Sequence, residues 1–416
     1  MPSPLPWSAW ARRMAEAAAV ERLPIRALVV DDDPVIVTLL CAFLQARGFR
    51  VDQAGDGQEA LARLAGGGFN LVITDRHMPR TDGLALCRAI RAIPSAAYVY
   101  CIMLTSSSDG DTLVAAMEAG ADDFLPKPLN PAELGARLHA AERVLALEAG
   151  LATRNQALAR AYDQLSRELE LARTMQHGLL PVPAQLGAVH YDWLFEPASF
   201  VAGDTLDYFA LDARYQCFYV VDVSGHGVSA AMMALNAQHQ LLASAQQTGL
   251  TLLRAGAALG TAAAAVVAEF NRRFLQMKDT SLYLTMLFGV IDSQAGVAAL
   301  VQAGHPPPLH SAAPGAPFLP VGDGGLPVGV LADADYEAHT VPMGPGARLA
   351  VYSDGVTDCA SAAGEPFGPH RLRQALERER SAPLARTGLA VRADLLQWRG
   401  SASFDDDVTF LVLEVC

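Results

Sequence analysis

Several apolar runs of this chain have the length of a β-strand and stop at an aspartate. RALVVDD ends at Asp31 and Asp32, NLVITD at Asp75, YVVD at Asp222 and AVYSD at Asp354. A carboxylate at the tip of a buried strand is costly unless a cation or a set of donors meets it, because desolvation favours the neutral acid. The fold must therefore gather these tips where cations can reach them. That demand falls on two stretches of different character, separated by a long helical pattern.

In the first stretch, from Arg26, short apolar runs alternate with amphipathic helical patterns: RALVV, PVIVTLLCAFLQARG, FNLVIT, YVYCIMLTS and DDFLPKP. Such alternation predicts a doubly wound, five-stranded parallel sheet with helices on both faces, an α/β domain. Ligands of these sheets sit beyond the carboxyl ends of the strands. The residues there are Asp31, Asp32, Asp75, Thr105 and Lys127, and Lys127 is one of only two lysines, with Lys278. Three carboxylates at one edge call for a cation, and Mg²⁺ suits an all-oxygen site. A hydroxyl and an ammonium beside it would neutralise a phosphoryl group. The alternative is a purely structural domain in which Asp31 and Asp32 cap a helix.

LVVDDDP, LVITDRHMPRTDGL, CIMLTS and FLPKPLNPAEL closely resemble, in order and spacing, the CheY-like receiver domain of two-component systems. The resemblance implies that Asp75 accepts a phosphoryl group from a cognate histidine kinase. It further implies that Asp31, Asp32 and the main-chain carbonyl of His77 hold Mg²⁺, and that Thr105 and Lys127 contact the phosphoryl group. Phe124 matches the position of the family's switch aromatic.

A helical pattern then starts at about Pro131 and meets no Gly–Pro break until Gly178–Pro183, although Gly135 and Gly150 weaken it. Leu151, Leu158, Leu165, Ala172 and Leu179 recur at heptad spacing, with Asn155, Tyr162 and Leu169 completing an a/d seam. The seam predicts a coiled-coil homodimer; docking of the helix on its own domain is the alternative.

From Tyr191 onward strands with antiparallel-style turns dominate: YDWLFEP, DYFALD, CFYVVD, YLTMLFGVID, GVAALVQA, RLAVYSD and DVTFLVLEV. Helical stretches at about 227–246, 255–276 and 369–398 complete an α+β sandwich of two central antiparallel sheets flanked by helices. Asp204, Asp222, Asp354 and the Asp405–Asp406–Asp407 run stand at strand ends. Their convergence is most simply met by two divalent metal ions with oxygen ligands. Glycines beside Asp204, Asp222 and Asp354 allow close approach of backbone and solvent.

ARTMQHGLLP, VAGDTLDYF, VDVSGHGVSAAMM, AGHPPPL, YSDGVTD and DDDVTFLVL resemble the metal-dependent protein phosphatase (PPM) superfamily. The branch is the bacterial one that dephosphorylates anti-sigma-factor antagonists. The resemblance implies that Asp222 and the carbonyl of Val223 bind two Mn²⁺ or Mg²⁺ ions, with Asp204, Asp354 and Asp406 as the other side-chain ligands. Asp406 is preferred over Asp405 and Asp407 only by alignment to the following Val–Thr. No protein nucleophile is implied, since metal-activated water attacks phosphorus. Thr205 and Leu206 stand where the family often has aromatic residues, and Ala202 replaces a glycine. Asp207 is read as lying beside the ligands, and His226 and His305 as structural.

The net charge of −13 argues against nucleic-acid binding. Six scattered cysteines without a CxxC pair fit a reducing cytoplasm, and no run of transmembrane length predicts membrane insertion. The expected organisation is an extension at 1–24, a receiver at 25–142, a helical linker at 143–182 and a PPM-type domain at 183–416. The expected function is a response regulator whose output is a serine/threonine phosphatase. The rival is a non-catalytic adaptor that delivers a sigma factor or another client, in which the metal-binding aspartates would be replaced; all four are kept.

Overall fold

The computed structural model describes residues 25–93, 98–106, 110–276 and 282–416. The segment 1–24, expected to be an extension, and Lys278 lie outside the described residues. The chain forms two compact units, 1–162 and 163–416.

In the first unit, β1 (Arg26–Val30), β2 (Arg50–Ala54), β3 (Leu71–Asp75), β4 (Tyr100–Thr105) and β5 (Asp123–Pro126) form a parallel sheet ordered β2-β1-β3-β4-β5. Strand β1 is apolar throughout because both its faces are covered. Ala27 and Val29 pack into one core, Leu28 and Val30 into the other. The connecting helices are α1 (Pro34–Gln45), α2 (Gly57–Leu64), α3 (Gly83–Ala92) and α4 (Gly110–Glu118). The strand order reverses between β1 and β3, so the crevice at their carboxyl ends opens between Asp31 and Asp75. Helix α1 is capped by Asp33, which accepts the amide of Val35 at 2.8 Å. The cap is thus supplied by neither Asp31 nor Asp32.

Helix α5 runs from Pro131 to His177. Its first turns present Leu134, Leu138, Ala141 and Leu145 to the sheet at three- and four-residue spacing, and these are buried. Beyond them Leu151, Leu158, Tyr162 and Leu165 are each more than half exposed. Leu179, the last heptad position expected, lies past the helix end.

The second unit is a four-layer sandwich. One sheet orders β14 (Ala338–Pro342), β11 (Val297–Ala303), β10 (Leu284–Asp292), β9 (Tyr215–Val223) and β8 (Asp204–Ala210). The other orders β13 (Leu319–Pro320), β12 (Leu309–Ser311), β15 (Arg348–Tyr352), β16 (Val408–Val415), β7 (Val189–Glu196) and β6 (Ala184–Leu186). All pairings within both sheets are antiparallel. Alternate residues of each strand meet between the sheets: Leu206, Phe218, Val220, Leu349, Val351, Leu411 and Leu413 share one core. The opposite face of the first sheet packs on α6 (Val228–Ser244) and α8 (Leu259–Gln276). A π-helical turn and the short α7 (Leu250–Arg254) lie between these helices. The opposite face of the second sheet packs on α10 (Gly368–Arg378) and α11 (Ala385–Arg399). A one-turn helix, α9 (Asp354–Thr357), follows β15.

Candidate active site and candidate phosphoacceptor site

The inner-face register carries the second unit's carboxylates to one end of the sandwich. Residues 204, 206 and 208 share a face of β8, and 218, 220 and 222 share a face of β9. Leu206, Tyr208, Phe218 and Val220 of that series fill the inter-sheet core. Asp204 and Asp222 continue it to the sheet's end, where they pair directly across the two strands. Asp204 is almost wholly buried, and its Oδ2 has no hydrogen-bond partner. Burial first, then the charges of Asp222 and Asp407, hold its carboxyl well above the usual range. Asp222 is pushed up to about 7, by burial and then by Asp354, Asp406 and Asp407. Asp354, at the first turn of α9, is also raised, by burial and then by Asp406. Five aspartates, Asp204, Asp222, Asp354, Asp406 and Asp407, thus feel their neighbours' charge at one end of the sandwich.

The run Asp405–Asp407 separates into three roles. Asp405 is exposed and clasped by both terminal nitrogens of Arg399, at 2.5 and 2.7 Å. Asp407 is buried and accepts the amides of Ala198 at 2.8 Å and Gly203 at 2.6 Å, which occupies both its oxygens. Asp406 remains, facing Asp354 and Asp222.

The turn after Asp222 explains the sparse side chains of SGHG. Gly225 and Gly227 take φ of +90° and +83°, which glycine adopts without strain. Ser224 is pinned to Tyr283 by two hydrogen bonds, of 2.9 and 3.0 Å. The chain can then reverse from β9 into α6 in four residues. His226 is exposed at the tip of this turn. His305 is buried, bonded through Nδ1 to the Thr285 hydroxyl at 2.9 Å, and burial pushes it down to about 3, so it is neutral.

In the first unit, Lys127 Nζ lies 2.9 Å from Asp31 Oδ2 and 2.7 Å from Asp75 Oδ1. The second oxygen of Asp75 accepts the His77 amide at 3.0 Å, and Asp31 Oδ1 accepts the Asp33 amide at 2.9 Å. Burial alone would lower Lys127, but its bonds to Asp31 and Asp75 outweigh that and hold the ammonium above its ordinary range. Thr105 is buried at the end of the neighbouring strand, and Asp32 is exposed beside Asp31.

Comparison with known proteins accords with both halves. Residues 27–139 match the family described as "Response regulator receiver domain". Residues 212–416 match "Stage II sporulation protein E (SpoIIE)". The response regulator MprA of Mycolicibacterium vanbaalenii is 41% identical over 118 residues, which is 28% of this chain and 50% of that protein. The DNA-binding response regulator MtrA of Mycolicibacterium smegmatis is 39% identical over 115 residues, 28% of this chain and 49% of its own. The chain thus spans about half the length of the curated relatives it matches. The SiaA PP2C domain of Pseudomonas aeruginosa superposes with a TM-score of 0.54 at 25% identity, covering 62% of this chain and all of that one.

The chain joins a receiver domain to a SpoIIE-type PP2C domain. The matched span of the PP2C domain begins at residue 212, so Asp204 lies outside it and enters the site through its strand pairing with Asp222.

The carboxylates of the PP2C domain fit divalent metal. Asp204 keeps a buried oxygen without a hydrogen-bond partner, and Asp222 and Asp354 repel their neighbours in a way that a bound cation or a proton relieves. A Cβ on Gly203 would stand 3.0 Å from the Val223 carbonyl oxygen, so glycine there leaves that oxygen room. Among the described residues no three acidic, histidine or cysteine side chains close on one point as a preformed cage. Mg²⁺ usually keeps several waters and is bound through one or two carboxylates. The receiver's donors are likewise all oxygen, around one ammonium.

Three residues support the two sites; the sequence anticipates Gly355, as the glycine beside Asp354, but not the other two. Gly355 lets α9 lie against the tip of β16, since a Cβ there would fall 2.1 Å from the Asp407 carbonyl oxygen. Gly83 plays the same part in the receiver, with a would-be Cβ 2.2 Å from the Asp75 carbonyl oxygen. The third is Gln176, in the last turn of α5, whose amide bonds both polar groups of the Ala202 backbone. Its place in the quoted ARTMQHGLLP was visible; its partner, 26 residues on, was not.

Proposed function

We propose that this chain is a response regulator whose output is a metal-dependent serine/threonine protein phosphatase, under the control of phosphorylation at Asp75. The observation that carries the reading is the cross-strand pair Asp204–Asp222, of which Asp204 is buried with its Oδ2 unpartnered, set beside Asp354 and Asp406. Asp204, Asp222, Asp354, Asp406 and the Val223 carbonyl would hold two Mn²⁺ or Mg²⁺ ions. Such ions, when bound, supply a water of lowered pKa and neutralise charge on the phosphoryl oxygens. The chain's own part is to hold these oxygens still. Asp407 ties the Ala198 and Gly203 amides, the two glycines of SGHG clear the approach to Asp222, and Gly355 seats Asp354 beside Asp406.

In the receiver, Asp75 offers a carboxylate already paired with Lys127, so the ammonium is in position to meet a phosphoryl group added there. Asp31, Asp32 and the His77 carbonyl would hold Mg²⁺, and Thr105 would contact the phosphoryl group. A histidine kinase is the donor this reading requires. The substrate read from the family is a phosphoserine on a small anti-sigma-factor antagonist, and the exposed heptad positions of α5 fit a homodimer through that helix. The presence of all four metal-site aspartates favours catalysis over a role as an adaptor. No helix among the described residues is long and apolar enough to cross a membrane, which agrees with action in the cytoplasm.

The test is hydrolysis of p-nitrophenyl phosphate by the full chain with Mn²⁺. Wild type and Asp405→Ala turn over, Asp222→Asn does not, and EDTA abolishes the activity. Equal turnover by Asp222→Asn would overturn the metal assignment.

A further inference from the structure

The start of β8 is held by two side chains remote in sequence. Asp407 accepts the Gly203 amide, and Gln176 grips the preceding residue: its Nε2 donates to the Ala202 carbonyl at 2.8 Å, and its Oε1 accepts the Ala202 amide at 3.0 Å. Gln176 is buried, with only 5% of its surface exposed, although the α5 residues on either side, Met175 and His177, are exposed. A glutamine at the end of a long polar helix has no packing reason to be buried, and burial of its amide is tolerated because both its nitrogen and its oxygen are hydrogen-bonded. The two bonds fix Ala202 in the manner of a strand neighbour, two residues ahead of Asp204.

The rest of the helix end is fastened to the same sheets. Leu180 is buried in the inter-sheet core. Trp193 Nε1 donates to the Pro181 carbonyl at 2.7 Å, and the Tyr208 hydroxyl donates to the Val182 carbonyl. Gln238 of α6 spans the Leu179 carbonyl at 3.3 Å and Asp207 Oδ2 at 3.4 Å. Contacts from the end of α5 therefore reach β8 on both sides of Asp204, through Ala202 and through Asp207. A displacement of the last turn of α5 cannot leave Asp204 where it is unless the Gln176 bonds break.

We propose that Gln176 is a positioning residue that ties the last turn of α5 to the Asp204 carboxylate, so that metal binding at Asp204 depends on the position of that turn. This rests on the phosphatase reading of the site and adds the point at which the site is regulated. Residues that orient metal ligands typically cost 10–100-fold in metal affinity or activity when removed.

The experiment is Mn²⁺ titration calorimetry on the full chain for wild type, Gln176→Leu and Gln176→Glu, with kcat and KM for p-nitrophenyl phosphate and the unfolding temperature in EDTA. Leucine removes both bonds; glutamate keeps the acceptor for the Ala202 amide and loses the donor. Gln176→Leu is expected to weaken Mn²⁺ binding and lower kcat by about tenfold or more, with KM little changed and Gln176→Glu in between. If Gln176→Leu does not fold, the ordering of Gln176→Glu against wild type decides. A variant that binds Mn²⁺ and turns over within twofold of wild type overturns the proposal. So does one that unfolds earlier in EDTA yet binds Mn²⁺ normally, because that marks a purely structural amide. Wild type that binds no Mn²⁺ fails the phosphatase reading itself and takes this proposal with it, an outcome distinct from the other two.

Discussion

Replacing Asp222 by asparagine should stabilise the metal-free protein while destroying its response to metal. Asp222 has a folded-state pKa of about 7 against an ordinary 3.8, chiefly through burial and then through Asp354, Asp406 and Asp407. Between those values the folded protein holds a proton that the unfolded chain releases, so stability falls as pH rises through the window. The cost is absent below about pH 4 and complete above about pH 7. The full displacement converts to roughly 4 kcal/mol. Asp204 faces Asp222 across the strands and its carboxyl is raised as well, so the pair shares the cost and neutralising Asp222 should recover roughly 2–4 kcal/mol at pH 8. For a unit of this size that is about 5–15 °C in Tm. The assay is thermal unfolding of the full chain in EDTA at pH 8 and pH 4.5, followed by the same scans with Mn²⁺. Asp222→Asn should unfold later than wild type at pH 8 in EDTA, come to within about 1 kcal/mol of it at pH 4.5, and lack the rise that Mn²⁺ gives wild type. If Asp222→Asn unfolds at or below the wild-type temperature in EDTA at pH 8, the electrostatic reasoning is wrong.

Within the acidic run, Asp405→Ala should leave turnover unchanged and lower Tm only slightly, since Asp405 is 77% exposed although its partner Arg399 is only 13% exposed. Asp407→Ala should cost about 2–3 kcal/mol, seen in urea unfolding, because it strands the buried amide of Gly203 and the half-buried amide of Ala198. Asp75→Asn should abolish incorporation of phosphate from a small acyl phosphate, read by intact-protein mass, whereas Asp32→Asn should slow it and leave the site of labelling unchanged. Leu158→Arg with Leu165→Arg should shift the full chain from dimer to monomer in sedimentation velocity, since both side chains are more than half exposed on α5. Gly355→Ala should lower turnover by at least an order of magnitude, measured with p-nitrophenyl phosphate, because its Cβ would collide with the Asp407 carbonyl oxygen.

Much of the fold and of both carboxylate clusters was legible in the sequence because strand ends there announce themselves. An apolar run that stops at Asp75 or Asp222 has few physical solutions, and the alternation of strands and helices before Pro131 fixes a parallel sheet. The long helix was legible too, from the absence of a break. What stayed hidden depended on pairing across the chain. Nothing local separates Asp405, Asp406 and Asp407; Arg399 and the amides of Ala198 and Gly203 do so from elsewhere in the fold. The cap of α1 fell to Asp33, because that residue directly precedes Pro34, the first of the helix. Short strands such as β12 and β13 carry too few residues for a period to show. Gln176 looked like one more polar residue of a polar helix, and only its 26-residue contact with Ala202 marks it.

The most direct measurement is phosphate release from a serine-phosphorylated anti-sigma-factor antagonist by the full chain with Mn²⁺, before and after acyl-phosphate treatment, for wild type, Asp75→Asn and Asp222→Asn. Wild type should dephosphorylate the substrate at a rate that changes on treatment, Asp75→Asn at a rate that does not, and Asp222→Asn should release nothing in either state. Equal release by wild type and Asp222→Asn, or a treated Asp75→Asn that responds like wild type, would contradict a metal-dependent phosphatase governed from Asp75.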